Sequence, residues 1–326
     1  MDLTVKVLKM LLENPHKRLS GQYISEKLGV SRNAVWKTME VLRNEGYQIS
    51  AVTNKGYSLE KIPTSLNSYY LEASLAPHWQ KVIVEKEVES TNKMLKELGE
   101  SLPDKTVFIA SKQWGGTGRL GRSWSSPEGG LWFSLLLKPV LPMEELPLIT
   151  LTMAAALWEG IYNHLGIQVK IKWPNDIIWE GKKLAGILTG IKGDMDKVDY
   201  LIVGIGVNVN NPIPPELEYI GLSLKDIVKR QLNLNHLLLD ILNCVEKYYQ
   251  LFLTNKREGI LAINKRHSTI LGKAIEISTF KGKEEVIARD IGDDGSLIIE
   301  DKSKRIRKVL SGDVSLKKWY KNSNID

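Results

Sequence analysis

The sequence predicts an α/β (α+β) protein with an N-terminal winged helix-turn-helix, a central mixed β-sheet with helices, and a small C-terminal β-barrel. Three observations support this prediction. Apolar residues recur at helical spacing over residues 1–64, strands and helices follow one another over 65–270, and short strands broken by turns fill 271–326. A chain of 326 residues, 43% of them hydrophobic, is long enough to bury several cores.

The first domain has the helix spacing of a DNA-binding motif. Over residues 19–49 a short helix, a turn at Gly29 and a second helix follow one another, with Ser20 and Ser31 placed as N-caps. The second helix would pack inward through Ala34, Val35, Met39 and Leu42. Its exposed N-terminal half, the part that enters a major groove in such motifs, would present Ser31, Arg32, Asn33, Trp36 and Lys37.

A wing and a positive charge fit the same interpretation. Residues 47–60 alternate as two short strands about a turn at 54–56, which predicts a wing. Of the net charge of +7, residues 1–64 carry +4, from 10 Lys and Arg against 6 acidic residues. Such an excess suits binding to a phosphate backbone. The alternative is a small helical interaction domain that does not touch DNA.

The central domain alternates strands and helices. The predicted strands cover 82–88, 106–113, 130–137, 169–179, 182–191 and 200–210. The predicted helices begin after Ser90-Thr91, cover 146–166, and form a pair over about 234–268. Consecutive strands without intervening helices favour a mixed sheet with helices on one side. In the last domain, the turn at 292–295 between short strands favours a small barrel.

Residues 115–124, GGTGRLGRSW, match two nucleotide-binding templates. One is the dinucleotide fingerprint, fitted by Gly116, Gly118 and Gly121. The other is the P-loop, nearly fitted with Arg122 in place of Lys. Both templates need a helix directly after the last glycine, and here Pro127 and a strand-like alternation follow instead. Both templates therefore fail.

What remains is a flexible glycine loop between two strands. Arg119 and Arg122 offer forked donors to phosphate or carboxylate oxygens. Trp124 offers a stacking face for a base, and the glycines allow a ligand to approach the backbone closely. The alternative is a mobile hairpin tip with solvated arginines.

Five motifs occur in the order and spacing found in biotin protein ligases. They are STN at 90–92, GxGRxGRxW at 116–124, KWPND at 172–176, KLAGIL at 183–188 and GIGVNVN at 204–210. The N-terminal SR-x-AV-x-K and the GYSL of the wing further resemble the bifunctional ligases that also repress the biotin operon. The resemblance covers essentially the whole chain, and it implies a class II synthetase-like ligase domain and an SH3-like C-terminal barrel.

The resemblance implies a two-step reaction. The central domain would activate biotin with ATP to biotinyl-5′-adenylate and then transfer the acyl group to one lysine of a biotin carboxyl carrier protein. Attack of a carboxylate on the α-phosphate brings two anions together, so cations must lie between them, and Mg²⁺ usually neutralises the expelled pyrophosphate. By resemblance, Arg119 and Lys183 are the catalytic residues that contact both anions. Arg122 would contact pyrophosphate or order the loop, and Asp176 would help to place a metal or the carrier lysine.

The resemblance also assigns binding residues. The biotin-binding group comprises Ser90, Thr91, Asn92, Gln113, Gly116, Thr117, Gly118, Arg119, Lys183 and Gly186. The ATP and adenylate group comprises Arg119, Arg122, Trp124, Asn175 and Asn208. Each has a plain structural alternative: Ser90-Thr91 would be a helix cap, and Lys183 one of a surface pair with Lys182. No residue is assigned as a metal ligand.

One position departs from the family. Relatives often have GRGR where this chain has Gly116-Thr117-Gly118-Arg119, so one guanidinium is missing. We hypothesise that Thr117 takes over this role through its hydroxyl and backbone, with faster escape of the adenylate than in relatives with Arg.

Loop closure would link the two activities. A mixed anhydride hydrolyses unless water is excluded, so the loops at 115–124 and 211–222 are expected to close. If the adenylate orders them beside a sheet edge, it favours a homodimer whose winged helices reach two half-sites of operator DNA. The competing functions are a lipoate protein ligase, a DNA-binding biotin sensor without ligase activity, and a ligase that no longer binds DNA.

Composition argues against other classes. No apolar run reaches the roughly 18 residues of a membrane helix, and the N-terminus does not have the pattern of a signal peptide, which favours the cytoplasm and no membrane partner. The single cysteine, Cys244, lies among apolar residues at helical spacing, which predicts packing and no reactivity. The five histidines lack metal-ligand spacing, so structural zinc is not expected.

Overall fold

A computed structural model describes residues 2–140, 145–194, 197–279 and 282–316. The helices are α1 (Leu3–Leu12), α2 (Gly21–Leu28), α3 (Arg32–Asn44), α4 (Ser68–Ser74), α5 (Thr91–Leu98), α6 (Leu146–Leu165), α7 (Leu224–Val228), α8 (Leu234–Leu253) and α9 (Arg257–Arg266). The strands are β1 (Gln48–Val52), β2 (Gly56–Lys61), β3 (Lys81–Val88), β4 (Thr106–Gln113), β5 (Leu131–Leu137), β6 (Lys170–Lys172), β7 (Asp176–Trp179), β8 (Lys182–Asp194), β9 (Lys197–Val207), β10 (Ala274–Thr279), β11 (Gly282–Ile291), β12 (Leu297–Glu300), β13 (Ile306–Val309) and β14 (Asp313–Leu316). The exact domain limits stay a prediction, and residues 317–326 of the third domain lie outside the described ranges.

The N-terminal winged helix-turn-helix is confirmed. The Ser20 hydroxyl accepts a hydrogen bond from the Tyr23 N–H and the Ser31 hydroxyl from the Ala34 N–H, so both predicted caps begin their helices. Strands β1 and β2 pair antiparallel as the wing. The inward face of α3 is buried at Val35, Met39 and Leu42, whereas Ala34 is half-buried.

The central sheet has seven strands in the order β3-β4-β5-β9-β8-β7-β6. Only β3 and β4 are parallel, and every other neighbouring pair is antiparallel, which confirms a mixed sheet. The predicted strand at 169–179 is instead the hairpin β6–β7, with the cis Trp173-Pro174 peptide at its turn. The KWPND motif thus forms the turn of this hairpin.

The prediction that helices cover one side of this sheet is wrong. Helix α6 packs on one face, where Val107 and Leu135 belong to the large core, and α8 and α9 pack against α6. Helix α5 packs on the other face, and Leu95 lies against Phe108 and Leu136. The physical reason is that both faces of β4 and β5 are apolar, so each face needs a cover.

The C-terminal sheet is antiparallel with five strands in the order β13-β12-β11-β10-β14. Among the described residues no ladder joins β13 to β14, so backbone pairing does not close the predicted barrel. The predicted turn at 292–295 is present, and Gly295 accepts a hydrogen bond from Trp173 Nε1 at 3.0 Å. This contact fixes the third domain against the β6–β7 hairpin.

Two short helices were not predicted. Helix α4 has seven residues and α7 has five, too few for a helical repeat to stand out in the sequence. Tyr70 and Ala73 of α4 complete the core of the winged helix. None of the helices in the described part of the chain is long and apolar enough to cross a membrane. Cys244 is buried, and burial raises the pKa of its thiol to about 11, as expected for a packing residue.

Candidate functional site

One cavity of about 890 Å³ lies on the sheet face where α5 begins. The glycine loop, strands β7, β8 and β9, the segment 211–222 and strand β14 surround it. Every residue assigned above to biotin or adenylate lines it, with the exception of Gly116. The fold therefore brings together residues that are far apart in the sequence.

A closed polar network occupies the end of the cavity at α5. The Thr91 N–H donates to Gln113 Oε1 at 2.8 Å, and the Thr91 hydroxyl lies 2.6 Å from the Ser134 hydroxyl. Ser134 in turn donates to Asn92 Oδ1 at 2.7 Å. Ser90 occupies the N-cap position of α5, and its carbonyl accepts from the Met94 N–H at 3.0 Å. Its hydroxyl makes no capping bond, so this buried hydroxyl stays available to a ligand.

Three glycines of β8 and β9 make room for the side chains on this face. A Cβ built on Gly204 would lie 2.4 Å from Asn92 Oδ1, and one on Gly206 would lie 2.5 Å from Trp124 Nε1. A Cβ on Gly186 would lie 3.2 Å from Lys183 Nζ. Side chains from α5 and the glycine loop can therefore rest directly on the sheet backbone.

The glycine loop folds back on itself as a hairpin-like turn. The Trp124 N–H donates to the Gly116 carbonyl at 2.8 Å, and the Gly118 N–H donates to the Arg122 carbonyl at 2.7 Å. A short 3₁₀ turn covers Arg119–Gly121, and β5 follows the loop, so neither helix-based template applies. Gly116 lies beneath the loop, where a Cβ would meet the Trp124 carbonyl at 2.5 Å, and this explains why it does not line the cavity.

The two predicted catalytic cations enter the same cavity. Lys183 Nζ lies 2.7 Å from Asp176 Oδ1 and 5.0 Å from the centre of the Trp124 ring. Arg119 Nη1 donates to Asn175 Oδ1 at 3.2 Å. Asn175 itself is fixed because its amide donates to the Ile187 carbonyl at 2.9 Å. Lys183 thus has a defined place between an indole and a carboxylate, unlike a solvated surface lysine.

The third domain completes the site, which the sequence did not reveal. Arg119 Nη2 donates to the Gly312 carbonyl at 3.1 Å, a contact between residues 193 positions apart. Asp313 lies 3.8 Å from Arg119 Nη1 and is ion-paired with Arg122. No local motif surrounds Asp313, so only the folded chain reveals that it faces the glycine loop.

The segment 211–222 forms an apolar wall of the cavity. The Lys183 N–H donates to the Ile220 carbonyl at 2.6 Å, and the Leu222 N–H donates back to the Lys183 carbonyl at 3.3 Å. Asn208 Oδ1 accepts a hydrogen bond from Asn211 Nδ2 at 3.0 Å, which orients the Asn208 amide. The segment's apolar lining residues are Ile213, Pro214, Leu217 and Ile220.

No group of three or more His, Cys, Asp or Glu able to hold a metal ion occurs among the residues that the structure describes. The cavity's two carboxylates, Asp176 and Asp313, face Lys183 and the two loop arginines. A divalent ion would therefore need oxygen ligands from a bound substrate in addition to these side chains.

The predicted DNA-contacting residues lie apart from the cavity, on the exposed side of the winged helix. All five are exposed, and Trp36 keeps 51% of its surface accessible. An exposed indole beside two cations suits contact with base edges and phosphates. Their role in DNA binding stays a prediction.

Three family models match the chain. Residues 84–208 match the biotin/lipoate A/B protein ligase family, residues 5–58 match an HTH domain, and residues 270–317 match the biotin protein ligase C-terminal domain. The chain is 37% identical to the bifunctional ligase/repressor BirA of Bacillus subtilis, over 95% of this chain and 97% of that one. It is 32% identical to the protein of the same name from Escherichia coli, over 58% of this chain and 59% of that one.

A solved structure resembles the chain as well. The biotin protein ligase from Aquifex aeolicus in complex with biotin and ATP matches with a TM-score of 0.65 and 30% identity. The match covers 73% of this chain and 99% of that one.

The close approach of Trp124 to the sheet is testable without any ligand. We expect Gly206→Ala to displace the indole, shifting tryptophan emission to the red and raising its quenching by acrylamide. Gly190→Ala is the matched control, because its Cβ would lie 3.9 Å from the Ile202 carbonyl, an ordinary contact. Since the chain has nine tryptophans, each substitution is repeated with Trp124→Phe, where the difference must vanish. An unshifted Gly206→Ala spectrum would contradict the contact.

Proposed function

This chain belongs to the family of bifunctional biotin protein ligases and repressors, and we propose that its central cavity binds biotin and ATP together. The enzyme converts them to biotinyl-5′-adenylate, transfers biotin to a lysine of a biotin carboxyl carrier protein, and represses the genes of biotin synthesis. The observation that carries this proposal is the convergence of Arg119 and Lys183 on one cavity beside Trp124.

The first step needs two anions held together. A carboxylate oxygen of biotin attacks the α-phosphorus, a phosphorus–oxygen bond forms, and pyrophosphate leaves with the bonding electrons. Arg119 and Lys183 lie between the reacting groups and offset their repulsion, which is stronger in a cavity shielded from water than in solution. Before the substrates bind, Asp176 and Asn175 hold these two cations in place.

The polar network at α5 is our candidate for the ureido ring. Ser90, Thr91, Asn92 and Gln113 present hydroxyl and amide groups that donate and accept hydrogen bonds. The loop backbone at Thr117 and Gly118, with Gly186 on the sheet, borders the rest of the biotin site.

The adenylate lies on the other side of the cations in this proposal. Trp124 offers its ring face, while Asn175 and Asn208 offer amides that the structure holds in fixed orientations. Arg122 projects from the loop toward solvent, with 67% of its side chain exposed, and suits the departing pyrophosphate. The Trp124 Nε1–H lies against Gly206 and is buried without a hydrogen-bond partner, so the indole offers the ligand its ring and not this donor.

Mg²⁺ is proposed to arrive with ATP. The ion neutralises charge on the phosphates, and Asp176 is the carboxylate best placed within the lysine end of the cavity. In the second step the carrier's lysine amine attacks the acyl carbon, loses a proton and displaces AMP.

Repression is proposed to depend on a homodimer formed with bound adenylate. Two winged helices then reach two half-sites of operator DNA. When unmodified carrier is scarce, the adenylate persists and the dimer stays on DNA. A cytoplasmic location, as the sequence predicts, fits an enzyme that uses ATP and binds operator DNA.

ATP–pyrophosphate exchange tests the activation step. We expect exchange with biotin and none with lipoate or without an acid, because the polar network suits a ureido ring. Lys183→Gln should lower the exchange rate on the order of 100-fold or more, since a cation is lost between two anions. Lys182→Gln, one residue away and outside the cavity, is the control and should stay near the wild-type rate. Exchange with lipoate instead would favour the lipoate ligase, and no exchange with any acid would favour the sensor.

Because position 117 carries Thr and no guanidinium, we expect biotinyl-5′-adenylate to escape faster than from relatives with Arg there. Thr117→Arg should slow dissociation of biotinyl-5′-adenylate by about tenfold, because a charged hydrogen bond to a phosphate is worth about 1.5 kcal/mol. Thr117→Gln matches its length without the charge and serves as the control. Dissociation is followed by chasing labelled adenylate, and an unchanged rate in Thr117→Arg would refute the hypothesis.

The proposed DNA-binding residues predict a salt effect. Arg32→Ala and Lys37→Ala should each weaken binding to the upstream region of the biotin synthesis genes, and each should reduce the slope of log affinity against log salt by about 1. Lys9→Ala on α1 removes an exposed cation from another helix and is the control. Equal slopes in all four proteins would show that α3 does not contact phosphates.

A further inference from the structure

The segment joining the winged helix to the ligase domain is held by three asparagines, two of which are buried. Residues 62–67 run from the end of β2 to the start of α4. The three asparagines are Asn67, at the end of this segment, and Asn233 and Asn235, at the start of α8. We refer to these three residues as the asparagine clamp.

Asn235 makes most of the clamp's contacts and is fully buried. Its amide nitrogen donates to the Pro63 carbonyl at 3.2 Å and to the Ser65 carbonyl at 2.6 Å. Its Oδ1 accepts from the Asn67 N–H at 2.9 Å. Asn233 Nδ2 donates to the same Pro63 carbonyl at 3.2 Å.

The clamp continues into the winged helix. Asn67 Oδ1 accepts a hydrogen bond from the Tyr47 hydroxyl at 2.6 Å, and Asn67 Nδ2 lies 3.4 Å from a carboxylate oxygen of Glu45. Glu45 follows directly after α3, the helix proposed to enter the major groove. Tyr47 is buried, and burial raises the pKa of its hydroxyl, so the hydroxyl stays protonated and able to donate.

The other end of the clamp is tied to the wall of the cavity. The Leu232 N–H donates to Asn210 Oδ1 at 3.0 Å, and Asn210 Nδ2 donates to the Leu232 carbonyl at 2.8 Å. Asn210 lies between Asn208 and Asn211, which both line the cavity. The chain just before α8 is therefore joined through Asn210 to the segment that lines the cavity.

From these contacts we infer that Asn235 is a positioning residue that sets the orientation of the winged helix relative to the ligase domain. A short connecting segment with unpaired carbonyls would let the winged helix swing, because its backbone would bond equally well to water. Asn235 instead satisfies a donor and two acceptors of this segment at once, in a buried place where unpaired polar groups are destabilising. A fixed orientation matters for repression, because a dimer binds two half-sites only when both winged helices are held at the right spacing.

Asn235→Asp tests the inference with little change in volume. The carboxylate cannot donate to the Pro63 and Ser65 carbonyls and would repel them. The matched control is Asn264→Asp, because Asn264 is also buried and its amide also donates to two carbonyls, of Leu151 and Ile260, both at 2.9 Å. The control reproduces the loss of a buried amide but lies away from the connecting segment.

The first measurement is the distance distribution between spin labels on the two domains. Labels are placed on Lys27→Cys in α2 and Glu97→Cys in α5, both exposed, with Cys244→Ala to avoid unwanted labelling. We expect a narrow distribution in the parent protein and in Asn264→Asp, and one at least twice as wide in Asn235→Asp. If Asn235→Asp does not fold, Asn235→Ser, which keeps one donor, is compared in its place. A broad distribution in the parent protein, or no widening in the Asn235 variant, would overturn the inference.

The second measurement rests on the proposed repressor function. We expect Asn235→Asp to bind the upstream region of the biotin synthesis genes at least tenfold more weakly, with ATP–pyrophosphate exchange within twofold of the parent. Asn264→Asp should not separate the two activities in this way. If the parent protein itself does not bind the DNA, the proposed repressor function fails, while the distance measurement still decides the role of Asn235. Equal DNA affinity of the parent and Asn235→Asp would overturn that role in repression.

Discussion

The site depends on the close approach of side chains to the backbone of β8 and β9. Gly186, Gly204 and Gly206 leave space where Lys183, Asn92 and Trp124 rest on the sheet. Any side chain at 204 or 206 would collide with the residue above it, because an ideal Cβ already comes within 2.5 Å. The glycines weaken their strands intrinsically, and the paired neighbours β5 and β7 on either side offset this cost.

Three cations of the site, Arg119, Arg122 and Lys183, each face a carboxylate before any substrate is present. Lys183 faces Asp176, and Arg119 and Arg122 face Asp313 from the third domain. A cation left alone in a partly buried cavity pays for lost hydration, so the carboxylates hold the cations in place at lower cost. Because Asp313 touches both arginines, it joins the glycine loop to the third domain.

Much of the local structure could be predicted because it depends on short-range patterns. The capping serines at 20 and 31, the wing turn and most of the central strands follow from spacing alone. The short helix α4 and the hairpin within 169–179 were missed, because a seven-residue helix and a three-residue strand leave too few repeats to recognise. The arrangement of helices on both sheet faces was also missed, since continuous burial along β5 does not tell which helix covers which face.

The sequence by itself determined the three-part fold class and the set of motif residues, because both depend on residue type and spacing along the chain. Only the tertiary structure decided which of them share a cavity. It placed Gly116 beneath the loop, away from the ligand space, and brought Asp313 to the two arginines across 191 positions or more. It also brought Asn235 into contact with the connecting segment, although Asn235 lies 168 positions from Asn67 in the sequence. Such contacts arise when separate elements pack together, so no local sequence pattern encodes them.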